Sequence, residues 1–235
     1  MDNSVTPISF SDLRRLVCFG CSCEYLPDSV VDYIQKEGLY GKVESLYRLS
    51  LSELEQAVVS LLKPDRVNHV LGCRDTAAAL ARRWGADETD AVRAALLHDI
   101  TKALDGPMQF VLCREYGVSP GDFSRENPKT LHALTGSLVA ERIFGEKTSV
   151  VNAIRSHTTG KADMCLLEKI IYVSDYMEPN RDFPGVETLR KLAYTDIDGA
   201  LKMGLEMTIF LLKEQGRDIS PESLEALEFL NYNGK

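Results

Sequence analysis

Polar and apolar positions alternate along this chain with a helical period almost from end to end. The stretch "PDSVVDYIQKEG" opens on proline and aspartate and closes on Gly38, residues that start and stop helices. "SLSELEQAVVSLL" runs an apolar stripe behind Ser52, with Glu55 three residues on in capping-box spacing. From about Pro64 to Trp84, Val67, Val70, Leu71 and Leu80 fall at helical spacing, and Gly85 supplies the stop. "DETDAVRAALLHD" and "GPMQFVLCREYG" predict two further helices, followed by a turn-rich loop between Gly117 and Pro128. The rest are predicted in "KTLHALTGSLVAERIFG", "KTSVVNAIRSH", "CLLEKIIYVSDYM", "DIDGALKMGLEMTIFLLKEQG" and "PESLEALEFL". Period-two alternation with hairpin punctuation is absent, so the expected class is all-α. No fixed-period repeat or low-complexity segment interrupts the pattern.

Composition narrows this only modestly. A chain of 235 residues suits one ordinary domain with a small appendage, and 44% apolar with 26% charged residues is a globular balance. The formal net charge of −8 argues against broad binding to nucleic acid or anionic membranes. An anionic substrate stays compatible if metal ions and a few local cations offset the field. "MDNSVTPISF" has no basic and apolar signal-peptide regions, and no apolar run reaches bilayer length. The six cysteines are too sparse for a secreted disulfide framework, so a reducing cytoplasm is expected.

The chemistry begins at "AALLHDITKAL", residues 94 to 104. An apolar helix ends in His98 and Asp99, with Lys102 one turn on. Neighbours at i and i+1 do not share a helix face, so a surface ion pair explains them poorly. A single histidine on an apolar helix is ordinarily a satisfied core residue. Here, however, His69, His98, His132 and His157 all fall in or at the end of different central helices. Imidazole and carboxylate together suit zinc, iron, manganese, cobalt or nickel, and one carboxylate can bridge two ions. Helical bundles build such centres from side chains on facing helices. Asp175, four residues after Ile171 on an otherwise apolar helix, offers a further carboxylate whose burial a metal would explain.

His69, His98–Asp99 and Asp175 together resemble the H…HD…D signature of HD-domain metal-dependent phosphohydrolases. The likeness narrows further with "HVLGCRDTAAALARRWGAD", "LLHDITK", "LHALTGSLVAERIFG", "AIRSHTTG" and "EKIIYVSDYMEPNRDFPGVETLR". Over about residues 60 to 232 the chain resembles the YqeK-type symmetrical bis(5'-nucleosyl)-tetraphosphatases. That resemblance implies an HD helical bundle, a dinuclear centre usually assigned as iron, and diadenosine tetraphosphate cleaved to two ADP. It implies that His69, His98, Asp99 and Asp175 hold one metal, that His132 and His157 hold or flank a second, and that Asp99 bridges. Asp99 and Lys102 are then the catalytic pair. Asn68, Lys102, His132, Thr158 and Arg181 become nucleotide contacts. The sequence departs from the family at Ser220, which precedes Pro221 where a histidine is usual, and this bears on base or ribose contacts. In physical terms, two metals would lower the pKa of a bound water, and Lys102 would stabilise charge on the phosphoryl oxygens.

Residues 9 to 41 stand apart. "SFSDLRRLVCFGCSCEYLPDSVVDYIQKEGLYG" resembles the C-terminal end of the nicotinate-nucleotide adenylyltransferases, with Ser9 to Arg14 in place of their phosphate-binding stretch and Phe10 departing from it. Their paired-histidine nucleotidyltransferase motif is not present in this sequence. The expectation is an extension at 1–47, without adenylyltransferase activity, preceding an HD phosphohydrolase at 48–235. Cys18, Cys21 and Cys23 lack a fourth local ligand and read as unligated thiols rather than a structural zinc site.

The competing readings are an HD phosphohydrolase for another nucleotide, a non-catalytic nucleotide-binding regulator, and a di-iron oxygenase. Intact ligands oppose the regulator, while Lys102 and the HTTG stretch suit phosphate better than oxygen. A dinucleoside polyphosphate is therefore the expected partner, with no nucleic acid or membrane. A homodimer is left open.

Overall fold

The computed structural model describes residues 8–21, 25–39 and 46–233. Among the described residues the regular structure is helical, with no strand. Helix α1 (Phe10–Cys18) starts at Ser9, whose side chain accepts a hydrogen bond from the Asp12 N–H, and α2 (Asp28–Glu37) follows. Helix α3 (Leu51–Leu61) uses a capping box, but from Ser50 and Glu53. "SLSELE" contains two overlapping S-x-x-E pairs, and the earlier one extends the helix toward its N-terminus. Helix α4 (Pro64–Trp84) has the expected bounds, with Gly85 in the left-handed conformation at its end.

Helices α5 (Glu88–Leu97) and α6 (Gly106–Glu115) each open on an aspartate cap, Asp87 and Asp105. The loop expected between Gly117 and Pro128 holds one short helix, α7 (Asp122–Glu126), too brief for periodicity to reveal. Then come α8 (Leu131–Arg142), α9 (Thr148–Ser156) and α10 (Leu166–Met177). Helix α11 (Val186–Ala193) is an addition to the sequence-based set, its inward residues being Val186, Leu189 and Ala193. Helices α12 (Ile197–Glu214) and α13 (Pro221–Asn233) complete the chain.

Helix α4 packs against α5 and α10, while α9 packs against α5, α8 and α10. This leaves α5 deep in the bundle, with Ala91, Ala94, Ala95, Leu96 and Leu97 all buried. Its small residues are what let neighbours approach on several sides. The N-terminal segment shares the same core. Leu16 and Phe19 are fully buried in it, Arg15 Nε donates to the Leu61 carbonyl at 2.6 Å, and Tyr116 donates to the Phe19 carbonyl at 2.6 Å. Cys18 and Cys21 are buried, and Cys23 lies outside the described residues. Among the described residues, no helix is long and apolar enough to cross a membrane.

Candidate metal centre

Helix α5 stops at Leu97, and the chain continues in tight turns in which Ile100 N–H donates to the Leu97 carbonyl and Lys102 N–H to that of Asp99. His98 is the C-cap and keeps helical dihedrals, and its Nε2 lies 3.6 Å from Asp99 Oδ2, so the two adjacent side chains face the same point. Both are buried at the middle of the bundle. His69 arrives from α4, His132 from α8, His157 from the end of α9 and Asp175 from α10.

The imidazoles are held in one orientation. Nδ1 of His98 lies 2.7 Å from the Ala95 carbonyl, that of His132 2.8 Å from Lys129, and that of His157 2.6 Å from Ile154. A carbonyl can only accept, so each Nδ1 carries the proton and each Nε2 keeps a lone pair for the centre. His69 follows the same rule with a carboxylate, its Nδ1 standing 3.2 Å from Glu178 Oε1. Gly72 makes this possible, since a Cβ there would come within 2.5 Å of Glu178 Oε2. Gly136 similarly lets α8 close on the His98 carbonyl, which a Cβ would meet at 3.3 Å. Beneath it, Thr101 donates to the His132 carbonyl, and Gln109 Nε2 donates to the carbonyl of Thr101.

Around Asp99 the donor atoms divide into two groups. Oδ2 lies 3.6 Å from Nε2 of both His69 and His98, and Asp175 Oδ1 lies 3.2 Å from His69 Nε2. Oδ1 lies 3.3 Å from His132 Nε2 and 3.7 Å from His157 Nε2. Within the groups, Nε2 of His69 and His98 approach to 3.3 Å, and those of His132 and His157 to 3.1 Å. Two lone pairs at that distance cannot hydrogen-bond to each other. A cation between them resolves the contact, so the donor set fits two metal ions with Asp99 between them.

Electrostatics point the same way. Burial pushes His98 down to about 4, and burial together with the nearby Lys102 ammonium holds His132 well below its usual value. Both are neutral ligands near pH 7. Burial opposes ionisation of Asp99, yet the charges of His98 and Lys102 hold its carboxyl well below the usual range. Asp175 is lowered in the same way, by His69, His98 and Arg181 against the effect of burial.

The rim is cationic. Lys102 Nζ lies 2.8 Å from His132 Nε2 and 3.8 Å from Asp99 Oδ1, and Thr158 Oγ1 lies 3.1 Å from Nε2 of both His132 and His157. Arg181 donates from Nη2 to Asp175 Oδ1 at 2.7 Å and from Nε to the Asp175 carbonyl. Asn68 is exposed, linked through its carbonyl to Asn180, and is not among the groups gathered at the centre.

Two groups were not singled out by sequence. Arg66 Nη1 reaches Asp99 Oδ2 at 3.3 Å and, with Lys63 and Lys102, lines a cavity of about 170 Å³ that opens onto that carboxylate. Glu178 orients His69. Arg66 stands three residues before His69 on the same face of α4, and Glu178 is the glutamate of "DYMEP", just past the end of α10. A second cavity of about 280 Å³ lies on another flank, where Thr159 meets the buried Ser220 and the start of α13.

The HD domain family matches residues 66–180. The symmetrical bis(5'-nucleosyl)-tetraphosphatase of Bacillus subtilis (strain 168) is 37% identical over 187 residues, covering 79% of this chain and 97% of that protein. The chain belongs to this family. A crystal structure of an HD superfamily hydrolase involved in NAD metabolism from Clostridium acetobutylicum superposes with a TM-score of 0.75 at 37% identity, covering 78% of this chain and 98% of that one. A probable nicotinate-nucleotide adenylyltransferase/Ap4A hydrolase of Mycoplasma pneumoniae (strain ATCC 29342 / M129 / Subtype 1) is 28% identical over 86% of this chain, which spans 56% of that longer protein. This last similarity is in keeping with the adenylyltransferase-like character of the N-terminal segment.

Proposed function

We propose that the chain is a metal-dependent hydrolase that cleaves dinucleoside tetraphosphates symmetrically, so that diadenosine tetraphosphate and water give two ADP. The observation that carries this reading is Asp99, with one oxygen toward His69 and His98 and the other toward His132 and His157. Family membership supplies the substrate class. His69, His98, Asp99 and Asp175 would hold one ion, and His132, His157 and Asp99 a second. Iron is the reading for the metal, and zinc, manganese, cobalt or nickel suit the same donors. Bound ions would supply an activated water and charge neutralisation at neutral pH.

The chain's own residues do the rest. Lys102 and Thr158 aim donors at the space beside His132 and His157, where phosphoryl oxygens gain charge in the transition state. Arg181 and Arg66 bring further cations to the rim, which offsets the net charge of −8 for a polyanionic substrate. Residues 48–235 carry this machinery. Residues 1–47 are an adenylyltransferase-like tail whose first helix has joined the hydrolase core, as buried Leu16 and Phe19 support. The acidic charge suits a cytoplasmic enzyme acting on a small molecule, without nucleic acid or membrane.

The test is turnover of diadenosine tetraphosphate by metal-loaded protein, with products separated by chromatography. ADP alone is expected. AMP with ATP would overturn symmetric cleavage, and turnover confined to guanosine polyphosphates would overturn the substrate.

A further inference from the structure

Cleavage of a tetraphosphate bridge leaves two diphosphates to accommodate, and the donors beside His132 and His157 serve one of them. Water adds to an inner phosphorus, the bridging P–O bond breaks, and its electron pair leaves on the second diphosphate while protons pass to solvent. In-line geometry sends that leaving oxygen away from the attacking water. The cavity of about 170 Å³ at the start of α4 is connected to the same donors, because Lys102 lines it and also stands 2.8 Å from His132 Nε2. Arg66 reaches from its wall to Asp99 Oδ2 at 3.3 Å. Lys63 is exposed there and has no ion pair among the described residues. Lys63, Arg66 and Lys102 thus face Asp65 and Asp99, a local excess of positive charge in a chain of net charge −8. An ion pair with Asp99 accounts for Arg66 but leaves Lys63 without a purpose.

The two cavities differ in what they offer. The cavity of about 280 Å³ on the other flank combines the ring of Phe123 with the hydroxyls of Thr130 and Ser220. No aromatic ring lines the smaller one. The first suits a nucleoside, and the second offers charge to phosphate.

We propose that the smaller cavity holds the departing diphosphate through Lys63, Arg66 and Lys102, and that the second nucleoside is not read. The proposal rests on the tetraphosphatase reading above. Its consequence is a further activity, in which adenosine 5'-tetraphosphate and water give ADP and inorganic diphosphate.

Steady-state kinetics of the metal-loaded full-length protein on diadenosine tetraphosphate and on adenosine tetraphosphate test this. The two kcat/KM values should agree within about tenfold. Lys63→Glu, checked for fold by circular dichroism, should lower both by about tenfold, chiefly through KM, and blunt their fall with added salt. Arg66→Gln should lower both further, and Arg66→Lys should recover part of that loss. Adenosine tetraphosphate left intact while diadenosine tetraphosphate is cleaved would overturn the assignment, because the second nucleoside would then be required. So would Lys63→Glu with unchanged kcat/KM and salt dependence. Either result leaves symmetric hydrolysis standing. If the wild type hydrolyses neither compound, the tetraphosphatase reading falls and this one with it.

Discussion

The two sides of Asp99 are built from the same residue types but in different proportions. On the Oδ2 side stand His69, His98 and Asp175, with Glu178 orienting His69 and Arg181 pairing Asp175. On the Oδ1 side stand His132 and His157, with no further carboxylate among the described residues, beside the donors Lys102 and Thr158. The first side offers a fuller donor set to a cation. The second leaves positions that face hydrogen-bond donors, which is where an anion would sit. A fully ligated ion suits a structural site, whereas one with an open position admits water or substrate. One carboxylate shared in this way would serve a resident site and a working site together.

The largest effect tests the bridge itself. Asp99→Ala should lower kcat/KM by about three orders of magnitude or more and leave neither side with metal, since both lose their common anion. Elemental analysis after gel filtration, with steady-state rates, checks this; retention of two ions with normal turnover would sink the shared-carboxylate account. Next, the two sides should separate in stoichiometry. His157→Ala should keep one tightly held ion per chain, and Asp175→Ala should lose it, as read by metal content after dialysis. Equal losses in both variants would erase the distinction.

Lys102→Ala should keep its metal and lower kcat by about two orders of magnitude, the effect of one lost electrostatic donor. Metal loss in that variant would move Lys102 from substrate contact to structural support. Glu178→Gln should weaken metal affinity on the His69 side by about tenfold, because the Glu178 carboxylate beside His69 Nδ1 sets the tautomer and basicity of that imidazole. Competition with a chelator of known affinity measures it, and an equal weakening on the His132 side would show that Glu178 acts through the whole fold.

The smallest effect is on the metal-free protein. Folded His98 titrates at about 4, against an ordinary value of about 6.5 in the unfolded chain. The unfolded state therefore takes up the proton first. Stability is full above about 6.5, falls as the pH drops toward 4, and loses on the order of 3 kcal/mol to this group. Urea melts across that range should show the decline, and bound metal should flatten its upper part. A melt independent of pH would mean that His98 is not buried as a neutral ligand.

Much of the helical content was legible because the core is periodic. Pro64 and Gly85 bound α4 as capping rules require, and the aspartate and glycine punctuation marked its neighbours. α7 escaped notice because a five-residue helix has no period, and the α3 cap moved because two equivalent motifs overlap. The histidines and aspartates were legible as ligand types, since imidazole and carboxylate on apolar helices need a reason to be buried. Arg66 and Glu178 were not, because a long cation or a glutamate beside a helix end is ordinarily solvated.

The chain alone therefore determined the all-α class, the helix boundaries set by proline, glycine and caps, and which side chains are candidate metal ligands. Those depend on local propensity and on what each side chain can do chemically. The tertiary structure decided how Asp99 divides its two oxygens, how Arg66 and Glu178 reach the centre, and how α1 enters the core. These depend on distances between α4, α5, α8, α9 and α10, and no sequence spacing encodes a distance between helices that meet only when packed.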